Sequence, residues 1–282
     1  MSISLGPLPR PTTDAALSSR LSTALTAALA PLAQGLGRTR IEATLSGEDI
    51  TALDVDLTGV TIPHLDLRGG AQDSALPTFS ATPEEGSETT GVLRDLRVAA
   101  SPLDVVGAPV TFAANVSDLP ILWGQSRGES LLGLAEPPAD TPVVGAVHVE
   151  VPVTGLEVAA KQLLTEAVGE MAVIRSVDLT VTSPRPNTLS VNMAAQAKKS
   201  LFSAVIMATA TLTIDRAMVA TISGLTLHSP NPVFSAALRL MSAKVSALEG
   251  LRLPLNTLLP GLHAKDLQVT GGQTLTVDAT FG

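Results

Sequence analysis

The chain contains no cysteine and no tyrosine, and aromatic residues make up only 2% of its 282 residues. Without cysteine it can form no disulfide, no thiolate zinc site and no thiol nucleophile. Charged residues make up 16%, against about 25% in an average globular chain. With so few rings, aliphatic side chains must fill the interior. Such walls suit either a compact core or a cavity that accepts flexible alkyl chains.

Basic clusters and long apolar runs are also absent from the sequence. The net charge is −8 and the longest basic cluster is Lys198-Lys199, so nucleic acid is not an expected partner, because phosphate binding needs clustered cations. No basic N-terminal segment leads into an apolar run, and no run approaches the roughly 18–20 apolar residues of a membrane span. We therefore predict a cytoplasmic protein that contacts the inner membrane only peripherally.

Three segments carry apolar residues at helical spacing. One covers about 14–34 and has a threonine as its cap, one begins with the capping box Thr154–Glu157 and runs to about 170, and one runs from Asn231 to Gly250. We expect the apolar stripes of these helices to line the interior. The site residues that they contribute are Leu21, Leu25, Leu163, Leu164, Phe234, Leu238 and Met241.

About a dozen further segments alternate between apolar and polar residues, which is typical of half-buried strands. The longest, 200–214, has one wholly apolar face, and Phe202 and Ile206 on that face complete the predicted site. At about 3.3 Å per residue this strand would be about 50 Å long, so it must twist. We expect it to form a hairpin with residues 217–228.

These elements predict one domain over residues 1–282. Residues 69–91 are rich in Gly, Ser, Thr, Pro and Glu, and we expect them to form a long mobile loop, because the strand pattern resumes in the same style after them. Helices and strands do not alternate regularly, which disfavours a parallel doubly wound sheet. The predicted fold class is α+β, with a long curved antiparallel sheet wrapping amphipathic helices.

One short motif carries possible chemistry. Gly124-Gln125-Ser126-Arg127-Gly128 matches the nucleophile elbow of hydrolases, which needs a strand before the serine and a helix after it. The following residues run quickly into Pro137-Pro138, so a turn is the preferred interpretation, and an esterase that uses Ser126 is the weakest alternative. The four histidines are too widely spaced for a metal site. We predict no catalytic residue, no metal and no cofactor.

The C-terminal part carries a family resemblance. Residues 259–263, Leu-Pro-Gly-Leu-His, precede two predicted strands that Gly271-Gly272 separates. This arrangement resembles the closing motif of the actinobacterial LmeA-like phospholipid-binding family, and residues 43–63 resemble that family's opening strands. The resemblance covers about 13–282. It implies a tubular lipid-binding (TULIP-like) fold, in which a curled sheet wraps helices around an acyl-chain tunnel.

The apolar stripes and the resemblance together predict a protein that binds, and transfers or senses, a phospholipid or similar acyl-chain lipid. Its partners would be that lipid and, transiently, a membrane; we expect no nucleic acid. The alternative is a non-catalytic structural or adaptor module whose interior is filled by its own side chains. In either case we predict that the chain is not an enzyme.

Overall fold

The structure is a computed structural model that describes residues 2–64, 82–135, 143–168, 172–199, 202–215, 219–231, 235, 249–254 and 264–282. Among these residues, 63% lie in strands and 16% in helices. The strands form two sheets, which we call sheet A and sheet B.

Two α-helices lie within the described residues. Helix α1 (Asp14–Leu29) begins where the Thr13 side chain accepts a hydrogen bond from the backbone N–H of Ala16, so the predicted threonine cap is confirmed. It ends earlier than predicted. Helix α2 (Val153–Val168) starts before the predicted capping box, which therefore does not form. A short 3-10 helix covers Leu36–Arg38. The third predicted helix falls almost entirely outside the described residues.

Sheet A has ten strands and is mixed. Its main order is β14-β15-β8-β6-β5-β3-β2, with β7 joining β6 to β1 and with β4 beside β5. The strands are β1 (Ser2–Pro7), β2 (Arg40–Ser46), β3 (Asp49–Asp56), β4 (Thr61–Ile62), β5 (Thr89–Val105), β6 (Ala108–Ser126), β7 (Glu129–Leu134), β8 (Val144–Pro152), β14 (Ala264–Thr270) and β15 (Thr274–Phe281).

Sheet B has five antiparallel strands in the order β13-β12-β11-β10-β9. They are β9 (Val173–Arg185), β10 (Thr188–Lys199), β11 (Phe202–Ile214), β12 (Val219–His228) and β13 (Arg252–Pro254). The hairpin predicted between the long apolar strand and residues 217–228 is confirmed, because β11 and β12 pair antiparallel.

The predicted α+β class, with its TULIP-like sheet wrapped around helices, is wrong. Strands dominate the described residues, and β3 and β4 lie parallel to β5, so sheet A is not purely antiparallel. Strands are also longer than the alternation indicated. The alternation predicts strands at about 92–99 and 103–107, but these segments form one strand, β5, which passes through Pro102 where the pairing with β6 is irregular. Irregular pairing is where a strand accommodates proline.

The predicted loop over 69–91 is too long at its C-terminal end. Residues 69–81 lie outside the described residues, while residues 84–87 form a turn in which Ser87 donates a hydrogen bond from its backbone N–H to the carbonyl of Glu84. β5 already begins at Thr89. The polar composition that indicated a loop therefore extends into the first residues of a strand.

Helix α1 covers one end of sheet A and forms the N-terminal core. Leu17 and Leu21 are buried there among apolar side chains of the sheet, including Ile50 and Trp123. The indole N–H of Trp123 donates a hydrogen bond of 2.8 Å to the carbonyl of Glu48. The guanidinium of Arg10 lies 4.7 Å from the centre of the same ring and pairs with the Glu48 carboxylate. A buried ring thus receives both a polar and a cationic partner.

Candidate functional site

The apolar face of sheet B is a surface of the kind that the sequence predicts. Residues that are paired on neighbouring strands form rows that run across the sheet. One such row consists of Leu179, Met193, Ala208 and Leu227. All four side chains are only partly buried. The predicted apolar face of β11 is therefore real, but its middle remains partly accessible. This row is therefore the candidate ligand surface that the structure offers in sheet B.

Helix α2 covers one end of this face. Ala160 and Leu164 pack against a buried cluster that includes Val177, Ala195 and Ile206. The Glu157 carboxylate accepts a hydrogen bond from the backbone N–H of Leu179. Helix α2 is thus held over β9, beside the partly buried row.

Sheet A contributes a second apolar face that meets the first. Leu267 and Val269 of β14 lie in one buried cluster with Val181, Leu189 and Ile214 of sheet B. From β14 the face continues across sheet A in register, along the row Leu267, Ala279, Val147, Ala114 and Val98. Apart from the buried Leu267, the side chains of this row are partly buried.

The structure separates the predicted site residues. Leu164 and Ile206 belong to one cluster, and Leu163 is a partly buried neighbour of Leu164 on α2. Leu21 is 6% exposed in the N-terminal core, and Leu25 is partly buried on the same helix, α1. Leu21 therefore lies in a different core from Ile206. Three predicted site residues lie outside the described part of the chain: Phe234, Leu238 and Met241. The backbone of Phe202 is described, but its side chain is not.

A pocket of about 630 Å³ opens at the end of sheet B. Its walls are Arg175, Gln196, Ala197, Ser203, Ala204, Val205, Pro230 and Asn231. Ala197 is buried and Ala204 is partly buried in the same cluster as Ile206, so the pocket adjoins the apolar face. Sequence reasoning missed Arg175, because a single arginine in a strand has no distinguishing pattern until its pairing is known.

A second, shallower pocket of about 370 Å³ lies across β5, β6, β8 and β15. Its small residues include Ala99, Ala113 and Ala146, and its polar rim includes a pair in which His148 Nδ1 lies 2.7 Å from Asp278 Oδ1. The register places Ala113, His148 and Asp278 side by side on neighbouring strands. Both members of the pair are exposed to solvent, so the pocket offers polar contacts on the outer face of sheet A.

Ser126 does not occupy a nucleophile elbow. It ends β6, and Arg127 and Gly128 form the turn into β7, both with positive φ. Ser126 pairs with Glu129 across this tight hairpin, whereas an elbow requires a helix after the serine. Among the described residues, no three or more His, Cys, Asp or Glu side chains are grouped so that they could hold a metal ion. His64 Nδ1 lies 3.8 Å from Glu166 Oε1, and these two exposed side chains form a single pair.

Neither described helix has the length and apolar character that crossing a membrane would require. Comparisons with protein-family models, with curated proteins and with solved structures find no match to this chain. The resemblance to the LmeA-like family therefore stays a prediction, and the functional argument depends on the geometry of the chain itself.

Proposed function

We propose that this protein binds a phospholipid or another acyl-chain lipid on the apolar face of sheet B, and that it transfers or senses that lipid. The observation that carries the proposal is the partly buried row Leu179, Met193, Ala208 and Leu227. These side chains face the interior, yet water still reaches them. Covering them with an alkyl chain would remove that apolar area from water, at about 25 cal/mol per Å².

The chemistry of the surrounding walls supports an alkyl ligand. The apolar faces of the two sheets meet in one cluster around Val181 and Leu267, so a long chain could lie against both. Aliphatic side chains dominate these walls, and among the described residues no aromatic ring imposes a fixed shape on a flexible ligand that packs against them. A chain of about sixteen carbons offers on the order of 12 kcal/mol of gross transfer free energy, before the cost of ordering it. Binding then needs no charged anchor along the chain.

The proposal includes the cytoplasmic location and the peripheral contact with the inner membrane that the sequence predicts. A lipid carrier must reach a membrane to load or release its ligand. The net charge of −8 weakens lasting attachment to an anionic membrane, which suits brief contact. Membrane and soluble fractions of the producing cell, probed for the protein at low and high salt, test this part.

The central test is extraction. The purified protein is extracted with organic solvent and its lipid content is measured by mass spectrometry, before and after incubation with phosphatidylglycerol vesicles. We expect close to one lipid per chain. The absence of lipid in both samples would overturn the proposal in favour of a module whose interior is filled by its own side chains.

A matched pair of variants locates the site. Ala208→Phe places a ring in the partly buried row, and we expect bound lipid to fall severalfold because the ring occupies the path of the alkyl chain. Thr213→Phe places the same ring at an exposed position of the same strand and should leave loading unchanged. Urea unfolding of both variants verifies that they fold. Equal loading in the two variants would exclude this face as the site.

A further inference from the structure

The end of sheet B that carries the larger pocket has an irregular strand pairing. The register of β9 and β10 steps from Ser176 opposite Gln196 to Ile174 opposite Ala197, so Arg175 is an extra residue without a direct partner. Such bulges redirect side chains and are frequent beside functional sites. Here the bulge presents Arg175 at the pocket wall.

Two cations, Arg175 and Lys198, lie at this end of a chain whose net charge is −8. Arg175 is exposed, and among the described residues its guanidinium has no hydrogen bond or ion pair. Lys198 stands in β10 directly opposite Val173 and Ser203. The pocket lining given by the described residues contains no carboxylate. Charge of this sign is complementary to a phosphate or to an anionic surface.

Apolar side chains are exposed next to these cations. Val173, the neighbour of Lys198 across the sheet, is 66% exposed, and Val205, which lies opposite Gln196, is 39% exposed. Exposed aliphatic groups together with basic side chains are the combination that binds the interface of an anionic bilayer. Nucleic acid fits less well, because it requires an extended track of cations and gains nothing from exposed valines.

We propose that this end of sheet B is the docking surface of the protein for an anionic lipid bilayer, with Arg175 contacting a head-group phosphate in the pocket. The inference rests on the proposed lipid-binding function. The docking surface also identifies the place where the lipid enters, because Ala197 and Ala204 belong both to the pocket wall and to the apolar face that holds Ile206. Along β11 the exposed Ser203 and Val205 alternate with Ala204 and Ile206, so a lipid whose phosphate pairs with Arg175 reaches that face by passing its alkyl chains around the end of the sheet.

The test is flotation of the purified full chain with vesicles of phosphatidylcholine alone and of phosphatidylcholine mixed with phosphatidylglycerol. We expect binding to the mixed vesicles only, weakening as the salt concentration rises to about 0.5 M, because added salt screens exposed charges. Since one basic residue near an anionic surface changes binding about fivefold, Arg175→Glu should weaken binding fivefold or more. Equal binding to both vesicle types would overturn the docking surface as proposed.

Two controls match these changes. Arg185→Glu makes the same charge reversal on β9, about 30 Å along the strand from Arg175, and should change vesicle binding by less than about twofold. The double variant Val173→Ser/Val205→Ser should weaken binding, while Val144→Ser, at a valine that is 55% exposed in sheet A, should not. If Arg175→Glu and Arg185→Glu have equal effects, net charge and not this surface governs binding, and the proposal is wrong.

Lipid extraction from the same variants separates the two proposals. If Arg175→Glu retains its co-purified lipid but loses vesicle binding, both proposals stand. If the unaltered chain carries no lipid but still binds mixed vesicles through Arg175, docking stands and lipid carriage fails. If Arg175→Glu binds mixed vesicles as the unaltered chain does, docking fails whatever the lipid content.

Discussion

The carboxylate of Glu157 in α2 accepts a hydrogen bond from the backbone N–H of Leu179 in β9, with 2.9 Å between Oε1 and N. β9 is the outer strand of sheet B, so among the described residues one of its sides has no neighbouring strand in that sheet. The contact satisfies a backbone donor at this open side and holds the helix beside the partly buried row. One side chain therefore couples the position of α2 to the candidate lipid surface.

We expect Glu157→Ala to lower the free energy of unfolding by about 1–2 kcal/mol, because a hydrogen bond to a charged group is lost and the donor of Leu179 is left unpaired. Glu157→Gln keeps an oxygen acceptor and should cost less than half as much. Urea unfolding at neutral pH measures both values. A cost for Gln equal to that for Ala would show that charge, and not the hydrogen bond, is the stabilising element.

Gly91 is a second sensitive position. A Cβ atom at this residue would lie 2.2 Å from the backbone carbonyl oxygen of Glu48, the same oxygen that accepts the hydrogen bond from Trp123. We expect Gly91→Ala to lower the free energy of unfolding by about 2–3 kcal/mol, because backbone must move to make room. The control is Gly37→Ala, where no atom lies within 4 Å of the added Cβ. Trp123 fluorescence during urea unfolding measures both, and equal stability of the two variants would contradict the close approach.

Three carboxylates around β3 make stability depend on pH. The Arg10 side chain lowers the pKa of Glu48, the backbone N–H of Val92 and then Arg94 lower the pKa of Asp49, and the Thr58 hydroxyl and backbone N–H lower the pKa of Asp56. A pKa that is lower in the folded chain adds stability above the unfolded value, which is about 4 for Asp and Glu. That stability is lost as the pH falls below this value.

We therefore expect the urea concentration at the midpoint of unfolding to decrease as the pH is lowered from about 5 to about 3. Asp49→Asn cannot ionise at this position, and it weakens the contacts to Val92 and Arg94, which lie 2.9 Å and 2.7 Å from the carboxylate. The variant should be less stable at neutral pH and should lose less stability on acidification than the unaltered chain. An identical loss in both chains would remove Asp49 from the explanation.

Local patterns predicted most elements but not how they assemble. The threonine cap and leucine stripe identified α1, and the alternation over 200–214 identified β11, because these signals depend on residues close in sequence. The alternation predicts separate strands at about 92–99 and 103–107, whereas β5 runs through Pro102, because the irregular pairing with β6 at this point tolerates a proline. Pairing of this kind joins distant residues and leaves no local pattern.

The candidate site was predicted in part for the same reason. Helical and strand periodicity identified Leu164 and Ile206, which the fold places in one cluster. Periodicity also assigned Leu21 to that interior, although α1 packs it against Trp123 in the N-terminal core, because an apolar stripe does not indicate which sheet it will cover. Arg175 was missed altogether, since its exposure at the pocket follows from a register step between β9 and β10.

The order of the strands along the chain has a consequence for synthesis. Sheet B is built from consecutive strands, so each can pair with its predecessor soon after it leaves the ribosome. Sheet A is different: β8 pairs with β15, which is made only after all of sheet B. Until then the side of β8 that receives β15 has no partner, and an unpaired strand edge is where nascent chains aggregate. A ribosome that stalls between these strands therefore holds a finished sheet B beside an unfinished sheet A.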